Sequence, residues 1–357
     1  MKPLSSHIRS TAFIYILICI SLISARAQTR QQVQDEINLY KQKTYRAFTV
    51  FLDPQQNETA RINAVEPYNR ILDEKQFQQC VAIAQNDRET DKIRATALLK
   101  THSYAGTDIV LFNNLLKWVT NYRLPELRAA SLYTLELVHF TGISDSKGRQ
   151  DFYNTMRSLT KDKDHNFRRT AFQVLTESQD EYALSIILKS LTSLDTSSLS
   201  LEESIGYLNN YTKKSTEMYA ITNSIFNKQI SNPVSIACLG IIGNYEPAKR
   251  NIIAMLQGGN QSKELRLAAL KTMQSTLKSD ELLVYTSPII FNEREDETLR
   301  VTALQHITYI HKANQFRQRQ STPGKFTQDV YTLSQNTSSA MVKSAAVKYV
   351  DNVNTKY

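Results

Sequence analysis

One pattern returns nine times along this chain, so any fold the chain adopts must repeat with it. The clearest copy is Ser262-Lys263-Glu264-Leu265-Arg266-Leu267-Ala268-Ala269-Leu270-Lys271-Thr272-Met273. Taking its arginine as anchor, the copies fall at Arg61, Arg94, Arg128, Arg168, Leu201, Ser235, Arg266, Arg300 and Lys343. Successive anchors lie 31 to 43 residues apart, and most spacings are 33 or 34. Glycine (9) and proline (8) are too scarce for the many tight turns of a sandwich or barrel.

The columns of the pattern describe a helix. Four residues before the anchor stand Asn57, Thr90, Asp164, Ser197, Ser231, Ser262, Asp296 and Ser339, all side chains that can accept from free helix N–H groups. The third copy has Leu124 there, followed by Pro125, which suits a first helical position. Three after the anchor every residue is small: Ala64, Ala97, Ser131, Ala171, Ser204, Cys238, Ala269, Ala303 and Ala346. The next position is apolar in every copy, and positions one before and seven after are mostly so. That spacing is one face of an α-helix. A small residue in every copy implies a helix crossing at about 8–10 Å in every copy.

Between anchors there is room for a second apolar-striped helix, as at Lys75 to Ala84, Asp108 to Thr120, Glu181 to Ser193 and Ala248 to Gln257. Each unit is then two antiparallel helices, and neighbours stack to bury a continuous core. The expected fold is all-α: an α-solenoid, a right-handed superhelix of about nine stacked helix pairs. An amphipathic helix from Gln31 to Phe51 precedes the array and is stopped by Asp53-Pro54. The expected organisation is a leader at 1–27, an N-terminal helix at 28–54 and the array at 55–357.

The recurring D/S-x-x-h-R-x-x-A-h motif resembles the second helix of HEAT and HEAT-like repeats. Arg94-Ala95-Thr96-Ala97-Leu98, Arg266-Leu267-Ala268-Ala269-Leu270 and Arg300-Val301-Thr302-Ala303-Leu304 match it best. The resemblance covers roughly residues 55 to 352. The units at Leu201 and Ser235 lack the arginine, and the period is nearer the compact HEAT-like type than the usual 40–47 residues. The resemblance implies an α-solenoid, a fold often used to bind partners. It also admits enzymes of the DNA glycosylase or bilin lyase type.

The first 27 residues have the form of a secretory signal. Lys2, His7 and Arg9 precede a charge-free, mostly apolar run from Ser10 to Ala25, and Ala25-Arg26-Ala27 fits a small-x-small cleavage site. The run is shorter than the roughly 20 residues that cross a bilayer. The expected location is therefore exported, periplasmic or secreted, with no membrane span once the leader is cleaved. Loss of the leader's three basic residues lowers the net charge from +9 to +6. The remaining basic residues are scattered among acids, so no nucleic-acid footprint is expected. Cys80 and Cys238 lie four units apart, too far for a disulfide, and are expected as two free buried thiols.

No constellation carries chemistry. The histidines at 102, 139, 165, 306 and 311 form no helical metal pair, and nucleophile elbows, phosphate loops and dinucleotide fingerprints are absent. Neither a cofactor nor a metal is expected. Glu293, Glu295, Asp296 and Glu297 stand where a turn and cap are needed. The anchor arginines Arg61, Arg94, Arg128, Arg168, Arg266 and Arg300 read as scaffold, placed to bond neighbouring carboxylates or helix ends.

Two features are left for binding. The column five after the anchor points away from the apolar face and varies between units; its candidate residues are Tyr133, Gln173, Lys271, Gln305 and Lys348. The stretch from Lys312 to Lys325 reads as a basic loop. The expected function is an exported scaffold for a protein or peptide partner, without catalysis. The rival readings are a polyanion-binding solenoid, suggested by an isoelectric point of about 9.2, and the HEAT-like enzymes, whose intracellular substrates fit poorly with a leader.

Overall fold

A computed structural model describes residues 31–68, 73–141, 143, 146–277, 279–318 and 324–354. The expected leader at 1–27 lies outside the described residues. Among those described, every regular element is a helix and no strand occurs. The chain divides into two compact units between Thr155 and Met156.

The first unit holds α1 (31–52), α2 (Glu58–Val65), α3 (Glu74–Gln85), α4 (Asp91–Lys100), α5 (Ile109–Trp118) and α6 (Pro125–Thr141). The division falls within α7 (Ser146–Leu159). The second unit continues with α8 (His165–Glu177), α9 (Glu181–Ser193), α10 (Leu201–Leu208), α11 (Thr216–Lys228), α12 (Asn232–Ile242) and α13 (Lys249–Gln257). It closes with α14 (Lys263–Thr276), α15 (Ser279–Phe291), α16 (Glu297–Gln318), α17 (Lys325–Asn336) and α18 (Ala340–Asn354).

Both units are built as an α-solenoid is, from stacked antiparallel helix pairs. The even-numbered helices carry the anchors and pack on one another in file: α2, α4 and α6 in the first unit, α8 through α18 in the second. Seven odd helices, α3, α5, α9, α11, α13, α15 and α17, pack against the even helix that follows, as α3 on α4, α11 on α12 and α17 on α18. The small column explains the close stacking. Eight of its nine members are fully buried, and only Ala64, in the first copy, is half-buried. The apolar column beside it is buried too, from Val65 to Leu304, and opens only at Val347 in the last copy.

Five anchor arginines tie an odd helix to the even helix that follows. Arg61, Arg94, Arg128, Arg266 and Arg300 donate from Nε to the carbonyls of Phe51, Ala84, Val119, Leu256 and Ile290, at 2.7–3.0 Å. Those are the carbonyls that a helix C-terminus leaves without an intrahelical partner. The guanidinium then reaches the next unit where a glutamate stands five before its anchor. Arg61 grips Glu89 with both terminal nitrogens, and Arg266 grips Glu295 likewise. Glu295 and Asp296, read from the sequence as turn and cap, hold those places: Asp296 accepts from the N–H groups of Thr298 and Leu299.

Seven of the expected N-caps make their bonds, for example Asn57 to Ala60 N and Ser262 to Leu265 N. The leucine exception is resolved across units: Asp91 of α4 accepts from the N–H groups of Glu126 and Leu127 and so caps α6 from outside. The fifth copy requires a correction. Its cap is Ser200, not Ser197, and α10 begins a turn later. Ser200 and Glu203 form a reciprocal capping box there, while Arg168 Nε holds the Ser198 carbonyl that an earlier helix start would use. With that turn missing, Leu201 stands at the first helical position instead of the anchor position.

A second correction concerns Lys312 to Lys325. No glycine or proline stands between Glu297 and Gln318, and α16 runs through Lys312 and Arg317 to Gln318. Lys312 is therefore a helix residue. Cys80 and Cys238 are free and buried, one in each unit, and burial pushes both thiols up to about 12.

Candidate binding surface

The column five after the anchor is solvent-facing along both units. Tyr133 in the first unit is exposed, as are Lys271, Gln305 and Lys348 in the second; Gln173 is half-buried and bonds Glu177 one helical turn on. In the copies anchored at Leu201 and Ser235 the same column carries glycine, Gly206 on α10 and Gly240 on α12. Both are exposed, inside helices and without positive φ. A Cβ on Gly206 would meet nothing within 4 Å, and one on Gly240 would meet only the Asn209 side chain at 3.2 Å. Neither backbone angle nor packing asks for glycine at 206, yet helix-interior glycine costs about 1 kcal/mol against alanine.

Gly206 lines an open groove of about 870 Å³ with Asn209, His165, Arg169 and Glu203. The charges there satisfy one another. Glu203 Oε1 is 3.2 Å from His165 Nε2 and 3.0 Å from Arg169 Nε, and its other oxygen belongs to the Ser200 cap. Those contacts hold its carboxyl below the ordinary range against the opposing effect of burial.

A different groove, of about 630 Å³, lies between α16 and α18. Its α16 side is the stripe Val301, Gln305, Thr308, Tyr309 and Lys312; its α18 side includes Met341, Ala345 and Lys348. The structure thus brings together Gln305 and Lys348, two of the five sequence candidates. Tyr309 and Met341 are among the most exposed large apolar side chains of the described residues, at 69% and 54%. No carboxylate lines the groove, and neither lysine makes an ion pair within the described residues. Behind it, the Tyr349 hydroxyl meets His311 Nδ1 at 2.7 Å and Thr327 Oγ1 at 3.0 Å, bracing α16, α17 and α18 together. Tyr309 and Met341 are in neither sequence feature and Lys312 enters only as the start of a basic loop, although Gln305, Thr308, Tyr309 and Lys312 follow an i, i+3, i+4, i+7 spacing that continues the column by one turn.

Lys271, the remaining candidate, bears on His306. Burial is the main cause that lowers the His306 imidazole to about 4, and the Lys271 charge adds to it. Its Nδ1 is buried without a partner among the described residues. The folded state therefore prefers the neutral ring. Stability from this site is complete above the unfolded value near 6.5 and falls as the pH drops from there towards 4, because only the unfolded chain gains the proton. A His306→Leu variant should lose less thermal stability than the parent between pH 7 and pH 4.5. Parallel melting curves across that range would rule out the assignment.

Among the described residues no group of three His, Cys, Asp or Glu side chains is placed to hold a metal ion, and no helix is long and apolar enough to cross a membrane. No protein-family model matches the chain, and no curated protein sequence matches it significantly.

Proposed function

We propose that this chain is an exported HEAT-like repeat scaffold that holds a protein or peptide partner on the exposed face of its even-numbered helices and catalyses no reaction itself. The observation that carries this reading is the contrast between columns on the same helices. The buried columns are nearly uniform from unit to unit, whereas the exposed column five after the anchor carries Tyr133, Gln173, Gly206, Gly240, Lys271, Gln305 and Lys348. Stacking needs the first set and makes no use of the second. Stacked repeats present such a column as one extended surface within each unit. The helix-interior glycines fit the same reading, since bare backbone lets a partner's main chain approach closely. Export is supported by the form of the first 27 residues.

The test places a photo-crosslinking side chain singly at Tyr133, Lys271 and Gln305, with Lys189 of α9 and Lys228 of α11 as controls on odd helices. The expected result is one recurring protein adduct from the column sites and none from the controls. Adducts of equal yield at the controls would remove the reading. Retention on a polyanion matrix that collapses with salt, with no protein adduct, would favour the charge-driven rival.

A further inference from the structure

We infer that the groove between α16 and α18 is the docking site for a short acidic segment of the partner protein, with apolar side chains seated against Tyr309 and Met341 and flanking carboxylates on Lys312 and Lys348. The inference rests on the scaffold reading and gives it a ligand class.

The shape argues for a chain segment. Lining residues run from Val301 to Lys312 on one side and from Ala340 to Asn352 on the other. At 1.5 Å per residue each wall is about 16–18 Å long, the reach of about five residues of extended peptide. The volume lies within the about 300–1,000 Å³ of ligand sites.

The charge argues for acid. The groove combines exposed apolar side chains with two lysines and no carboxylate. The surrounding sequence from 297 to 354 carries seven basic residues against three acidic. A basic partner would meet repulsion, and a purely apolar one would leave both ammonium groups beside its surface without a partner. The groove beside Gly206 lacks this bias, because two carboxylates, Glu202 and Glu203, line it and Glu203 pairs with Arg169 there. Spacing narrows the ligand further. Lys348 is five past its anchor and Lys312 twelve past its own, so in repeat register they stand seven residues apart, about 10 Å along the helix axes. Carboxylates three residues apart on an extended strand span that distance.

The probe is a fluorescein-labelled octapeptide with central Glu-Leu-Phe-Glu, compared by fluorescence polarisation with Lys-Leu-Phe-Lys and Glu-Gly-Gly-Glu versions. The purified chain should bind the first at least about tenfold tighter than either control. A Lys312→Glu, Lys348→Glu double variant should lose the acidic peptide by at least about tenfold and gain the lysine peptide, with melting unchanged because both side chains are exposed. Equal binding of acidic and basic peptides, or an unaffected double variant, overturns the inference. So does concentration-dependent dimerisation abolished by Met341→Asp, which makes a second copy the occupant. Binding to phosphatidylglycerol vesicles through the same lysines, without peptide binding, also overturns it. Column crosslinks that persist when the peptide fails would leave the scaffold reading standing and remove this site alone.

Discussion

Replacing Arg266 by alanine should destabilise the second unit by about 3–5 kcal/mol. The side chain is buried and all its nitrogens are engaged: Nε on the Leu256 carbonyl at 2.8 Å, the terminal pair on Glu295 at 2.8 and 2.7 Å. Alanine leaves a helix-end carbonyl without its donor and a largely buried carboxylate without its partner, and the second loss is the larger. Arg300, one unit on, separates the two effects. Its Nε makes the same helix-end bond to Ile290 at 3.0 Å, but its Nη2 is buried with no partner among the described residues. Arg300→Ala should cost about 1–3 kcal/mol, the range for one orphaned buried group. Urea unfolding of both variants measures the difference. Equal costs would mean that the interunit clamp adds nothing to the C-terminal cap. The clamp also has a pH signature. The bond from Arg266 is the main cause that holds Glu295 below its ordinary carboxyl range. Its stabilisation is present above about 4.5 and is lost as the pH falls through the lowered value, so Arg266→Ala should flatten the acid limb of the stability curve.

The next largest effect is expected in the small column. Ala303 is fully buried where α16 packs in the file of even helices. Ala303→Leu adds three carbons where neighbouring helices already touch, and should cost about 1–3 kcal/mol, more if the helices cannot separate. Gln305, two residues on, is exposed, and Gln305→Leu should stay within about 0.5 kcal/mol. Both variants place a leucine on the same helix, one on the buried face and one on the exposed face, so similar melting temperatures for the two would contradict the assigned packing face.

The odd helices illustrate how much of the fold was legible. The stripe from Glu181 to Ser193 is α9 end to end, and Lys75 to Ala84 differs from α3 by one residue at each end. Those boundaries follow from local chemistry, a cap before and a turn after, which the chain states within a few residues. At the fifth copy the repeat register points to Ser197, but Ser200-Leu201-Glu202-Glu203 is a capping-box signature and the local signal sets the helix start. The long spacing there reads as a loop at Lys312, although nothing in the sequence breaks the helix before Pro323.

Asp91 and Tyr309 mark the other limit. That Asp91 caps α6 in place of Leu124, or that Tyr309 and Met341 face one groove, depends on which residues some 30 to 40 positions apart come side by side. By itself the sequence determined which face of each helix is buried, where helices start, and why an arginine and a small residue recur. Each of those is set by a periodicity of 3.6 and by backbone groups a few residues away. Only the tertiary structure decided which exposed stripes meet and which charges pair, as at Glu203 and Arg169, or have no ion-pair partner among the described residues, as at Lys312 and Lys348. That outcome depends on the rotation and offset between stacked helices, to which no single helix's pattern refers.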